Sequence, residues 1–320
     1  MSIDQNSIHP TTSQLILANR WDHILARWAI NRNEHRVEPG LYALGRPAPE
    51  SPVLVTANYT LSFDTLRSAL PGVDAYILVL DTQGINVWCA AGKGTFGTDE
   101  LVHRIEETGL KEIVSHRNLI LPQLGAPGVA GFEVTKRTGF KVKYGPVRAA
   151  DLPRYLQSYS TTPEMRRVTF TLADRITLIP VELAYALIPL LIVTILLRSK
   201  PAAAAILAGT VLFPILLPWI PTHNFSTKGF ILGAVITLPF VLATWQRHSE
   251  FAWWLRSGEA LAAMLAFPAV TAYLALNFTG STTFTSRSGV RSEIFKYVPA
   301  MAWMFGIGIV LMVILSFVKA

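Results

Sequence analysis

The chain has 320 residues, 51% of them hydrophobic and 15% charged, with a net charge of +7 and a single cysteine, Cys89. One cysteine excludes an internal disulfide, an all-cysteine zinc site and an iron–sulfur cluster held by this chain alone. Nor does the charge mark a nucleic-acid binder: residues 1–170 carry 18 Lys/Arg against 16 Asp/Glu and residues 171–320 carry 10 against 5, so the excess lies in the apolar half rather than on a basic folded face.

Met1–Ser13 is polar and has no apolar signal core, which predicts a first half that stays in the cytoplasm. Residues 14–32 (QLILANRWDHILARWAINR) space Leu15, Ala18, Asp22, Leu25 and Trp28 around a helix. The pattern predicts an amphipathic helix, packed on the domain or lying at a bilayer surface. Asn33–Pro52 holds four prolines and two glycines and reads as an extended connector.

Pro52–Asn58 (PVLVTAN) is a short buried-strand pattern, and Ser62 is placed to cap a helix over Phe63–Leu70. Ala75–Asp81 (AYILVLD) is apolar almost throughout, as a strand covered on both faces must be. A loop follows, then a helix from Thr98, as its cap, to Thr108, stopped by Gly109. Glu112–Val114, Asn118–Leu121 and Phe140–Tyr144 read as strands, and Asp151–Gln157 as a helix. Strands alternating with helices predict a mostly parallel α/β sheet. Such sheets bind ligands beyond the carboxyl ends of their strands, which points to the loop after Asp81.

In the second half five runs carry almost no charge: Ile176–Leu197 (with Glu182), Pro201–Pro221, Gly229–Gln246, Ala260–Phe278 and Tyr297–Val318. Each has the length of about 18 residues or more that a helix needs to cross a bilayer. Five spans are expected, with a four-span arrangement and a re-entrant, proline-rich Pro201–Pro221 as the alternative. A cytoplasmic N-terminus puts Arg166, Arg167, Arg175, Lys228, Arg287, Arg291 and Lys296 inside, and Arg198, Lys200, Arg247, Arg256 and Lys319 outside. Pro180, Pro189, Pro214, Pro218, Pro239 and Pro268 predict kinked helices. Glu182 is an intramembrane acid, a functional candidate or an anchoring group. His223 and His248 fall in predicted loops with no metal-ligand spacing.

The loop from Asp81 to Thr98 contains the most informative residues. Its Gly92-Lys93-Gly94 is not a phosphate-binding loop, because Val87 stands where the first glycine is required and Gly94 where Ser or Thr is. No Asp-x-His-x-x-Gly occurs in the chain. Cys89 offers a soft, strongly donating sulfur. Ala90, Ala91, Gly92 and Gly94 carry little bulk, which lets the backbone approach a ligand closely.

The octapeptide Asn86–Lys93 (NVWCAAGK) resembles the cap-helix motif of the corrinoid protein of the microbial mercury-methylation system. Arg36–Leu44, Pro52–Phe63, Gly94–Leu101, Val114–Pro122 and Gly139–Pro153 fit the same family, as does the apolar tail. The first half is also similar to the corrinoid domain of the large subunit of corrinoid iron–sulfur proteins, which lack that tail and that cysteine motif. The resemblance implies a Rossmann-like, corrinoid-binding α/β domain of the cytoplasm, over residues 51–165. A helix and connector over 1–50 precede it, and an all-α transmembrane domain of five helices over 166–320 follows.

It further implies that Cys89 is the lower axial ligand of a cobalamin-type cobalt. Asn86, Val87, Trp88, Ala90, Ala91, Gly92 and Lys93 would surround the corrinoid, with Trp88 covering the site or simply packed in the core. Thr56, Asn58 and Thr60, at a strand end, either touch the corrin or are satisfied loop polars. The implied activity is a corrinoid-dependent methyltransferase of the cytoplasmic membrane that passes a methyl group from methyl–Co(III) to mercuric ion, giving methylmercury. Its implied partners are a ferredoxin-like protein with two [4Fe–4S] clusters as reductant and a methyl-folate-type donor. The alternatives are a methyl carrier of one-carbon and acetyl-CoA metabolism, and a transporter with a cytosolic regulatory domain.

Overall fold

A computed structural model describes residues 8–283 and 285–319, and the chain divides into two compact units after Val168. Residues 1–7, the start of the polar N-terminal stretch, lie outside the described residues, as do the side chains of Arg287 and Lys319.

In the first unit, strands β1 (Ile8–Thr11), β2 (Gly40–Leu44), β3 (Val53–Ala57), β4 (Ala75–Leu80), β5 (Asn118–Leu121) and β6 (Lys141–Tyr144) form one sheet in the order β1-β2-β4-β3-β5-β6. Every pairing is parallel except β2 with β4. The helices are α1 (Leu17–Arg27), α2 (Thr60–Ser68), α3 (Val87–Lys93), α4 (Thr98–Glu107), α5 (Leu110–Ile113), α6 (Gly131–Thr138) and α7 (Leu152–Ser158). β3 and β4 are buried along their whole length because helices cover both faces. On one face Leu101, Val102 and Ile105 of α4 and Val134 of α6 pack on Val53, Val55, Leu78 and Leu80. On the other, Phe63 and Leu66 of α2 and Leu152 and Tyr155 of α7 pack on Leu54, Ile77 and Val79.

The chain leaves β3 through α2 to β4 on one side, then returns past β3 to β5 and β6 on the other. The β3/β5 pair is therefore the point where the winding reverses, and the clefts of such sheets open there, beyond the carboxyl ends.

Several local expectations are corrected. Residues 33–52 are not only a connector, since Gly40–Leu44 is the antiparallel neighbour of β4 and brings β1 in beside it. Residues 110–113, next to and overlapping the expected Glu112–Val114 strand, form the helical turn α5, entered through Gly109 at φ 59°. Ser62 lies inside α2 rather than capping it, because Thr60 N–H is already bound by the His35 carbonyl at 3.0 Å and the helix starts there. Thr98 opens α4 but its hydroxyl accepts from Ala130 N–H at 2.8 Å, tying α4 to the start of α6.

The second unit is helical. Leu172–Leu196, Phe225–Arg247, Trp253–Ser281 and Ser288–Val318 are four helices long and apolar enough to cross a membrane. The expected fifth, Pro201–Pro221, is reduced to a shorter helix, Lys200–Leu216. At 1.5 Å per residue it is about 25 Å long, short of the roughly 30 Å hydrocarbon core. Proline explains the stop: Pro214 lies in its last turn, and Pro218 and Pro221 follow.

Two of the cations expected as membrane-flank charges tie off the carbonyls at that end. Arg175 donates to the carbonyls of Pro214 and Ile215, and buried Lys228 to those of Leu217 and Ile220. Glu182 accepts from the Ser281 hydroxyl at 2.9 Å, and His248 lies 2.9 Å from Glu259 rather than facing solvent alone.

Candidate cofactor site

The site is built outward from Asn58, the residue after β3, whose side chain is 2% exposed. Its Oδ1 accepts from Thr82 N–H at 3.1 Å, Thr82 Oγ1 at 2.9 Å and Gly84 N–H at 2.9 Å, and its Nδ2 donates to Asp81 Oδ1 at 3.0 Å. Asp81 Oδ1 also takes Gln83 N–H at 2.9 Å, and Glu100 of α4 takes Asp81 N–H at 2.7 Å. One buried amide thus folds residues 81–84 into a fixed turn. The turn contains Gln83 at φ 58° and Gly84 at φ 71°, and a left-handed glutamine persists only where neighbours over-determine it.

That turn delivers Asn86, whose Oδ1 caps α3 by accepting from Cys89 N–H at 3.0 Å. Within α3 the side chains divide by face. Ala90 and Ala91 are buried in the core beneath the helix, whereas Cys89 is half-buried and Gly92 and Lys93 are exposed. The small size of both alanines seats α3 on its own domain. Opposite them, a Cβ on Gly128 would lie 2.1 Å from the Phe96 carbonyl oxygen and 2.9 Å from Ala91 Cα. Gly128→Ala should accordingly lift α3 and cost about 2 kcal/mol, an overpacking penalty, measurable as a lowered urea midpoint at unchanged m-value.

A cavity of about 330 Å³ opens beside α3 at the β3/β5 reversal point. Thr56 of β3, Ser62 and Thr65 of α2, and Asn86, Val87 and Trp88 form one part of its wall, with apolar Leu121, Pro122 and Leu124 across from them in sequence. Pro146, Val147 and Leu152, after β6, complete it. Of the residues singled out from sequence, Thr56, Asn86, Val87 and Trp88 line this cavity, and Cys89 follows directly on the same helix. Asn58 and Thr60 are buried outside it, Asn58 entirely engaged in the loop. The residues after β5 and β6 were missed as site residues. Their signal was available, because they follow the carboxyl ends of two parallel strands. Among the described residues, no group of three or more His, Cys, Asp or Glu could hold a metal ion.

Comparison with known proteins gives this geometry a context. Residues 28–156 match the family model CdhD, CO dehydrogenase/acetyl-CoA synthase delta subunit. The acetyl-CoA decarbonylase/synthase complex subunit gamma of Archaeoglobus fulgidus is 34% identical over 161 residues, 49% of this chain and 31% of that protein. The subunit of the same name from Methanopyrus kandleri is 36% identical over 128 residues, 39% of this chain and 27% of its own length. The chain thus spans about a third or less of these relatives. Both stretches stop well short of the full chain, so the likeness concerns only part of it.

Proposed function

We propose that residues 28–156 form a corrinoid-binding domain and that the chain is a membrane-held methyl carrier in which Cys89 is the protein ligand to cobalt. The observation that carries this reading is the half-buried thiol of Cys89 on a short helix whose neighbouring residues line an apolar cavity at the sheet's reversal point. The names of the relatives, subunits of acetyl-CoA decarbonylase/synthase, support it.

The donor set fits the group. A corrinoid brings most of its metal's donors in its own ring, so the protein would need to supply a single side-chain ligand rather than a cluster. When bound, a corrinoid supplies a metal centre that accepts and releases a methyl group. The chain's own residues would hold it: Cys89 Sγ as a soft donor to the metal, Trp88 and Val87 as apolar wall, and Asn58 as the clamp that holds the α3 entry rigid. Lys93 and Gly92, at the exposed end of α3, would border the ring. A ferredoxin-like protein with two [4Fe–4S] clusters is proposed as reductant, with a methyl-folate-type donor for the methyl group.

Two acceptors have separate support. The relatives' names favour delivery of the methyl group within one-carbon and acetyl-CoA metabolism. Mercuric ion as substrate rests on the resemblance of the NVWCAAGK octapeptide alone. The four apolar helices support a place in a membrane, for which the cytoplasmic membrane is proposed, with the first unit in the cytoplasm.

Full-length protein purified from cells supplied with corrinoid should be coloured and hold cobalt in stoichiometric amount; colourless, cobalt-free protein would refute the reading. Cells that make methylmercury only when they carry the chain would assign mercury as acceptor. Loss of acetyl-CoA synthesis on its deletion would assign the other.

A further inference from the structure

Helix α1 is turned the wrong way for a helix whose apolar side packs on its own domain. Its inward contacts are polar: His23 Nε2 lies 2.7 Å from Asp64 Oδ2, and Asp22 Oδ1 lies 2.7 Å from His35 Nδ1. Asp64 is buried and is also held by Arg67 Nε at 2.7 Å, so the inward side is fixed by a charged network. Ala26 is the one buried apolar residue of the helix. The side turned outward carries Leu17, Trp21, Ile24 and Trp28, which are 83%, 61%, 46% and 42% exposed. Their spacing keeps them in one line along the helix and into its cap.

Domains rarely leave such a strip in water unless something covers it. Its chemistry specifies the cover. Two tryptophans in an apolar line, with Arg20 and Arg27 in the same helix, are the composition of a helix lying in the boundary of a bilayer, where indole rings favour the headgroup level. The arginines complement anionic headgroups. In sequence, the first apolar span opens at Leu172, with residues 169–171 between it and the end of the first unit at Val168.

We propose that α1 lies on an anionic bilayer surface, with Leu17, Trp21, Ile24 and Trp28 in the headgroup boundary and Arg20 and Arg27 on lipid phosphates. The proposal rests on the membrane reading of the second unit and not on the cofactor.

The test uses the full chain in vesicles of phosphatidylcholine with phosphatidylglycerol, carrying a photo-crosslinking benzoylphenylalanine at Trp21, at Ile24, at exposed Glu106 of α4, or at exposed Val310 of the last span. Irradiation should give lipid adducts at Trp21, Ile24 and Val310 and none at Glu106. Reversing both arginines (Arg20→Glu with Arg27→Glu), or omitting phosphatidylglycerol, should lower the Trp21 adduct at least about fivefold, from the contribution of each arginine near a charged surface. Leu17→Ser with Ile24→Ser changes only exposed positions and should lower it without changing the circular dichroism. Adducts at Val310 but none at Trp21 would overturn the α1 proposal alone. Adducts at neither would remove the membrane reading with it. Crosslinks from Trp21 to a second copy, or to the chain's own helical unit, would assign the strip to protein and overturn the proposal equally.

Discussion

Cys89→Ala is expected to abolish methyl transfer while leaving the protein folded. Removing residues that merely orient a metal ligand commonly costs about 10- to 100-fold, so loss of the ligand itself should exceed about 100-fold. Stability should move by less than about 0.5 kcal/mol, because the thiol is half-buried, lies on the outer part of α3 and accepts no hydrogen bond on which the cap depends. The readout that separates ligation from packing is the visible spectrum of the bound corrinoid, which should change in Cys89→Ala and change differently in Cys89→His. Imidazole is a harder but competent ligand, so the histidine variant should keep partial activity. Undiminished methyl transfer by Cys89→Ala, or an unchanged spectrum, would end the axial-ligand role.

Asn58→Ala should be the most destabilising change near the site. It strands the Thr82 and Gly84 amides, two donors that share Asn58 Oδ1, while Thr82 Oγ1 keeps the Ile85 carbonyl at 2.7 Å. An unsatisfied buried donor costs about 1–3 kcal/mol each, so a loss of about 3 kcal/mol or more is expected in urea unfolding. Asn58→Asp keeps the acceptor oxygen but replaces the donor that meets Asp81 at 3.0 Å with a second carboxylate. Like charges raise the pKa of one acid in the folded state above its unfolded value, so the deficit should shrink as pH falls through that raised value. A deficit that grows on acidification would show that the two side chains do not meet.

The parts of the fold that are legible in sequence are those whose signal is local. PVLVTAN and AYILVLD announce β3 and β4 because strands covered on both faces are apolar at every position. β2 was hidden because GLYAL sits among prolines, and its burial comes from lying between β1 and β4, partners some thirty residues away on either side in sequence. The site divided the same way. The Cys89 octapeptide is contiguous and stands out, and the structure indeed places it on a short capped helix. The burial of Ala90 and Ala91 and the clamp formed by Asn58 depend on what folds against them, namely Gly128 and the turn at Thr82, which no local pattern discloses.

The Thr82 and Gly84 amides are held by a side chain, Asn58, where a neighbouring strand would otherwise serve. Their exchange with deuterium should therefore report the release of that one side chain, separately from any opening of the sheet.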